Sequence, residues 1–284
     1  MESLSLSISS DSPRDNSRVS LIKSLAKLSS QEFFFPKLMM RLCFWRATKG
    51  DNKYKSWIVA AGLWMNFFVM CGVYVSRLYD FRSLDWSGMG HLFFNLHGCA
   101  VYTIIAYLMH DDMKLLKAMR CVLEPTVSIT TRPSVIEPIS EGRIRFEKIT
   151  TICALIILVM ATGNVVGVYF IYGNPLAEVF HIQRSVFLGV IAYVMWSILS
   201  FCWFMPVLFV FPTMNLFVQH GQAFIQYIID HKAEDINIFD MMEWYDDLYG
   251  INLVLQNYLG LLVTASISIG SAFQIVILMV GHTQ

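Results

Sequence analysis

Five stretches of the chain are apolar for long enough to cross a lipid bilayer, and the polar segments between them alternate between short and long. The apolar stretches cover residues 57–76, 88–109, 149–172, 186–212 and 257–280, and none of them contains Asp, Glu, Lys or Arg. Each approaches or exceeds the roughly 20 residues with which an α-helix spans about 30 Å of hydrocarbon. Backbone N–H and C=O groups in hydrocarbon must be paired inside the protein, so runs of this length predict helices. The pattern therefore predicts an all-α membrane protein with five transmembrane helices. The segments at 77–87 and 173–185 are short, which brings the second and fourth helices back beside their predecessors. Residues 110–148 form a longer connection, with Met113, Leu116 and Met119 between Lys114, Lys117 and Arg120. That cadence continues the second helix beyond the membrane until Glu124-Pro125 breaks it. The Thr-, Pro- and Ser-rich stretch 126–140 reads as a flexible loop.

The fourth apolar stretch does not stop where the hydrocarbon would. Pro206 is expected to kink it, and Met214, Phe217, Val218, Phe224, Ile225 and Ile228 carry a helical cadence on to Asp230. The lead-in to the fifth stretch places Phe239, Met242, Tyr245, Leu248, Ile251 and Leu255 on one expected stripe. Helices 4 and 5 are thus expected to extend out of the membrane as an antiparallel pair. Apolar faces of that size need partners, so the extensions are expected to pack together or to form a homo- or hetero-oligomer interface.

Charge sets the orientation. Of the 21 basic residues, ten precede Trp57, seven lie in the second connection and one in the fourth, against two and one in the short connections. The excess of Lys and Arg marks the cytoplasmic side. The N-terminus and the extensions of helices 4 and 5 are expected in the cytoplasm, and the C-terminus outside. Residues 1–56 form a cytoplasmic region, a Ser-rich flexible tail followed by a basic amphipathic segment suited to the inner leaflet. Residues 57–284 form the transmembrane domain. With 56% hydrophobic and 15% charged residues the composition departs from that of soluble domains. The formal net charge is zero, and no nucleic-acid partner is expected. Neither is a disulfide, since no cysteine falls in an expected outer segment.

Candidate chemistry is sparse. No phosphate loop, zinc spacing, dinucleotide fingerprint or nucleophile elbow occurs, so neither an enzyme nor a cofactor is expected. The acidic run Asp240, Glu243, Asp246, Asp247 reads as a solvated helix face. His91, Asn95 and His97, at i, i+4 and i+6 of the second span, lie on adjoining faces and suit the lining of a hydrated cavity. Gly163 and Gly167 have the spacing for close helix packing, and Asn164 beside them needs a partner in lipid.

The stretch 248–262, LYGINLVLQNYLGLL, with Asn257, Tyr258, Gly260, Leu261 and Leu262, resembles the lead-in and fifth helix of arthropod gustatory receptors. The layout resembles that family too, in its inner N-terminus, short outer loops, long second inner loop and extended later helices. The resemblance implies a chemosensory subunit of a tetrameric ligand-gated cation channel in the cell membrane, detecting a small organic tastant. It implies a site among the outer halves of the spans, where His91, Asn95, Thr162, Asn164, Tyr169, Tyr193, Trp196, Ser271 and Gln274 fall. Family members have seven spans and a Thr-Tyr motif in the last, so this chain is expected to be a partial subunit that does not conduct alone. A five-span protein that modulates full-length receptors is the alternative. A G-protein-coupled receptor fragment would require the opposite orientation.

Overall fold

The computed structural model describes residues 33–81, 86–110, 112–123, 133–172, 186–230 and 237–283, and these contain helices and no strand. The helices are α1 (Phe34–Leu42), α2 (Tyr54–Phe81), α3 (Trp86–His110), α4 (Lys114–Leu123), α5 (Pro133–Tyr172), α6 (Val186–Asp230) and α7 (Ile238–Thr283). Five of them, α2, α3, α5, α6 and α7, are long and apolar enough to cross a membrane. This is the architecture of a multi-pass membrane protein. Residues from Phe35 onward form one compact unit, α1 included.

Within that unit α3 is the central element. It packs against α2, α6 and α7, while α5 lies against α6. Its burial follows from what it carries: Cys99, Val101, Tyr102, Ile105, Ala106 and Met109 are all closed off from the surface. Polar groups tie its neighbours to it. Trp64 Nε1 on α2 donates to Thr103 Oγ1 at 2.9 Å, and that hydroxyl donates to Cys99 O at 2.8 Å. Cys99 Sγ lies 3.4 Å from Leu63 O on α2. Hydrophobic burial does not drive helices together in lipid, so such bonds and close packing hold the bundle.

The structure differs from the sequence-based expectations in three places. First, the second helix does not continue. α3 stops at His110 and α4 starts afresh at Lys114, with Met113 in the left-handed region at φ 49° and Lys117 N bonded to Met113 O. The break lets α4 turn and pack against α3, α6 and α7, burying Leu115, Leu116, Ala118, Met119 and Val122. A straight extension of α3 would leave those side chains exposed. Second, Pro133 opens α5, so the part of the expected loop from Pro133 onward is helical. A proline at the first helical position loses no hydrogen bond. Residues 124–132 lie outside the described ones.

As expected, α6 continues past its apolar stretch to Asp230, helical through both Pro206 and Pro212 for 45 residues, about 67 Å. Third, the expected single stripe on α7 divides. Trp244, Ile251, Leu255, Leu259 and Leu262 are buried, whereas Phe239, Met242 and Tyr245 are exposed. A run of i, i+3 steps drifts about 60° backwards round a helix at each step, so Phe239 and Ile251 cannot share a face. The buried set mixes steps of three and four and holds one face. The exposed set, with Tyr249 and Leu253, makes a second stripe.

The end of α6 and the start of α7 meet through Trp244, packed among Ala223, Phe224, Tyr227 and Leu248. The Trp244 ring stands edge-on to Phe224 at 5.2 Å and tilted to Tyr227 at 5.5 Å. α4 joins the same region, where His220 Nε2 on α6 donates to Val122 O at 2.9 Å. Lys114 Nζ lies 5.5 Å from the Tyr107 ring of α3 and 5.9 Å from the Tyr258 ring of α7.

α1 ends in a Schellman motif. Trp45 N bonds Met40 O at 2.8 Å and Phe44 N bonds Arg41 O at 3.1 Å, around Phe44 at φ 62°. Glycine is the usual residue there. A phenylalanine in that conformation costs about 1–3 kcal/mol. The motif is fixed to α3: Trp45 Nε1 donates to Tyr102 O at 3.2 Å, and Tyr102 OH donates to Cys43 O at 2.9 Å. Arg46 donates to His110 O, closing the open end of α3.

Candidate functional site

A tight contact between two spans forms the site. On α3, His91, Phe94, Asn95 and Gly98 recur at intervals of three and four and share one face. A Cβ built on Gly98 would lie 2.5 Å from Leu199 Cδ2 and 3.4 Å from Leu199 Cα on α6. Only glycine admits α6 that near. With the backbones so close, the aromatic rings on either side of Leu199 interleave with those of α3.

Phe94 is sandwiched. Its ring stacks on Trp196 at 4.6 Å and 22°, and on Trp203 at 5.2 Å and 10°. His91 stands edge-on to Trp196 at 6.0 Å, and His97 lies 4.1 Å from Trp203. Trp203 Nε1 donates to Phe94 O at 3.0 Å, locking the slab to the α3 backbone. Asn95 is buried and held twice. Its Nδ2 donates to His91 O at 2.8 Å, and its Oδ1 faces Asn66 Nδ2 of α2 at 3.4 Å.

Two buried nitrogens at this slab, His97 Nδ1 and Trp196 Nε1, have no hydrogen-bond partner among the described residues. Most buried polar atoms in proteins are paired, and each exception is informative. An indole N–H donates only, so Trp196 calls for an acceptor, while His97 Nδ1 serves as acceptor or donor according to its tautomer. Flat aromatic walls with few polar points suit a small organic molecule bearing a hydroxyl or carbonyl oxygen.

The residues expected in the site divide. His91, Asn95 and Trp196 come together here. Asn164 finds its partner elsewhere, donating from Nδ2 to Ser200 Oγ at 2.9 Å across the α5–α6 contact. Tyr193 on α6, Thr162 on α5, and Ser271 and Gln274 on α7 are exposed. The side chain of Tyr169 lies outside the described residues. Of the family-motif positions, Asn257 is exposed, Tyr258 lies beside Lys114, and Gly260 has open space where a Cβ would stand. The glycine pair at 163 and 167 makes no close contact among the described residues, because nothing lies within 4 Å of a Cβ at either. The tight contact belongs to Gly98, which has no small residue at its i±4 positions, Phe94 and Tyr102. Phe94 itself was hidden among other aromatics of its span. Among the described residues no group of three side chains is arranged to hold a metal ion.

No family model, curated protein or solved structure matches the chain.

Proposed function

We propose that the chain is a subunit of a gustatory-type chemosensory receptor of the cell membrane, of the ligand-gated cation-channel class, that takes a small organic tastant at the α3–α6 aromatic slab. The observation that carries this reading is the pair of buried, unpartnered nitrogens on His97 and Trp196 against a wall of stacked rings. Support also comes from the resemblance at residues 248–262. With the N-terminus in the cytoplasm, the slab straddles the middle of the two spans, with His91 toward the outer end of α3 and Trp203 just past the midpoint of the fourth apolar stretch.

The test is intrinsic tryptophan fluorescence of the full chain in lipid nanodiscs, titrated with panels of sugars and bitter compounds. Expected is a saturable change with at least one panel member and about tenfold weaker binding in Trp196→Phe, which removes one donor and keeps the ring. Saturable binding with the same affinity in the variant would remove this site from the reading.

A second reading, a five-span protein that assembles with full-length receptors, is favoured by the exposed apolar stripe of Met242, Tyr245, Tyr249 and Leu253 on α7. Co-purification with a seven-span partner, lost in Tyr245→Glu, supports it. A monodisperse monomer that gains no partner on co-expression counts against it.

A further inference from the structure

α1 has two apolar faces. Pro36, Met39 and Met40 on one face, with Cys43 and Trp45 after them, are buried against the bundle. Leu38 and Leu42 on the other, with Phe44 after them, are 40%, 54% and 49% exposed.

The depth of these exposed residues follows from the bonds that fix them. Cys43 and Trp45 are held by Tyr102, which lies eight residues, about 12 Å, inside the end of α3 at His110. Trp57, near the start of α2, packs edge-on to His110 at 6.1 Å, so both spans share that boundary. The C-terminal end of α1 is therefore level with the last turns of an apolar span and not beyond them. A side chain exposed at that level faces acyl chains.

The charges beside it are of one sign. Residues 37–55 hold six basic side chains and one acidic one. Arg41, Lys49 and Lys55 are exposed. The single acid, Asp51, is engaged, accepting from Ala47 N at 2.9 Å and Thr48 N at 2.7 Å. Phe44 adds an independent pointer. It occupies a backbone conformation that glycine would adopt without strain, and the fold holds a large exposed ring there instead.

We propose that α1 and Phe44 form an interfacial anchor in which Leu38, Leu42 and Phe44 insert among the acyl chains of one leaflet while Arg41, Lys49 and Lys55 take anionic phospholipid headgroups. The anchor is bonded to α3, the helix that carries the aromatic slab, so the leaflet has a direct mechanical connection to that helix.

Two measurements on the full chain test this. In the first, Leu38→Cys or Leu42→Cys chains are spin-labelled in nanodiscs, with the signal of the unsubstituted chain subtracted. Expected is readier relaxation by oxygen than by a water-soluble nickel complex at both positions. Greater access of the nickel complex overturns the insertion. In the second, short-chain phosphatidylserine is titrated against the detergent-solubilised chain, with phosphatidylcholine as control. Arg41→Gln combined with Lys55→Gln is expected to weaken phosphatidylserine binding about thirty-fold. An unchanged affinity, or equal binding of both lipids by the native chain, overturns the headgroup assignment. Phe44→Gly keeps the readout clear of misfolding. Relief of the backbone strain is expected to raise its unfolding temperature while its lipid contact falls, and a lower unfolding temperature would make Phe44 a packing residue instead.

Discussion

A methyl group on Gly98 would sit 2.5 Å from Leu199 Cδ2 and 3.3 Å from Leu199 Cβ. The Cδ2 contact yields by rotation of the leucine, but the Cβ lies close to the α6 backbone and yields only if the helices separate. Gly98→Ala is therefore expected to destabilise the bundle by about 1–3 kcal/mol, read as a lower unfolding temperature in detergent. Gly98→Ala combined with Leu199→Ala should recover part of that loss, because two residues in contact do not act additively. A double variant as unstable as the sum of the singles would mean that the glycine matters for another reason. At this scale the sequence was partly legible. Asn164 announced its need of a partner, since an amide in lipid is costly alone, and Ser200 answers it. Gly98 gave no such notice, because its contact depends on which residue of α6 arrives opposite, and no local pattern encodes that.

Besides its buried apolar face, α4 is joined to α6 by the hydrogen bond from His220 to Val122 O. Burial lowers the pKa of His220 from the ordinary 6.5, and its hydrogen bond to Val122 O opposes only part of that shift. Between the lowered value and 6.5 the folded chain binds fewer protons than the unfolded one, so stability falls as pH falls through this window. The docking of α4 on α6 is expected to be complete above pH 6.5 and to weaken in mild acid, measured as faster proteolysis near residues 124–132. His220→Gln should flatten that pH dependence, and an equally steep profile in the variant would point to another titrating group. The five spans were legible because hydrocarbon allows few backbone solutions, and an uncharged run of this length encodes one of them. Helix starts and stops outside the lipid were less so. The α3–α4 break rests on Met113 adopting φ 49°, which methionine does not favour, so the turn is imposed by the burial of Leu115, Leu116 and Met119. The α7 stripe was misplaced because apolar residues outside lipid fall on two faces, one covered by α6 and one exposed.

For the molecule as a whole, orientation rests on the distribution of Lys and Arg. A glycosylation acceptor introduced near residue 5 is expected to remain unmodified in microsomes, and one added after residue 284 to be modified. The reverse pattern would invert the topology and turn the His91 end of the slab toward the cytoplasm. The element that joins the two ends of the molecule is α7. It runs 46 residues, about 69 Å, with no proline in it, and packs against α3 along one part and around Trp244 at its start. A rod of that length converts angle into displacement. A tilt of about 5° around its far end would carry the Ile238 end through about 6 Å, more than one helical turn of rise. A helix without proline carries such a tilt as one piece, so a small change of angle at one end would become a large displacement at the other without any part of it having to unfold.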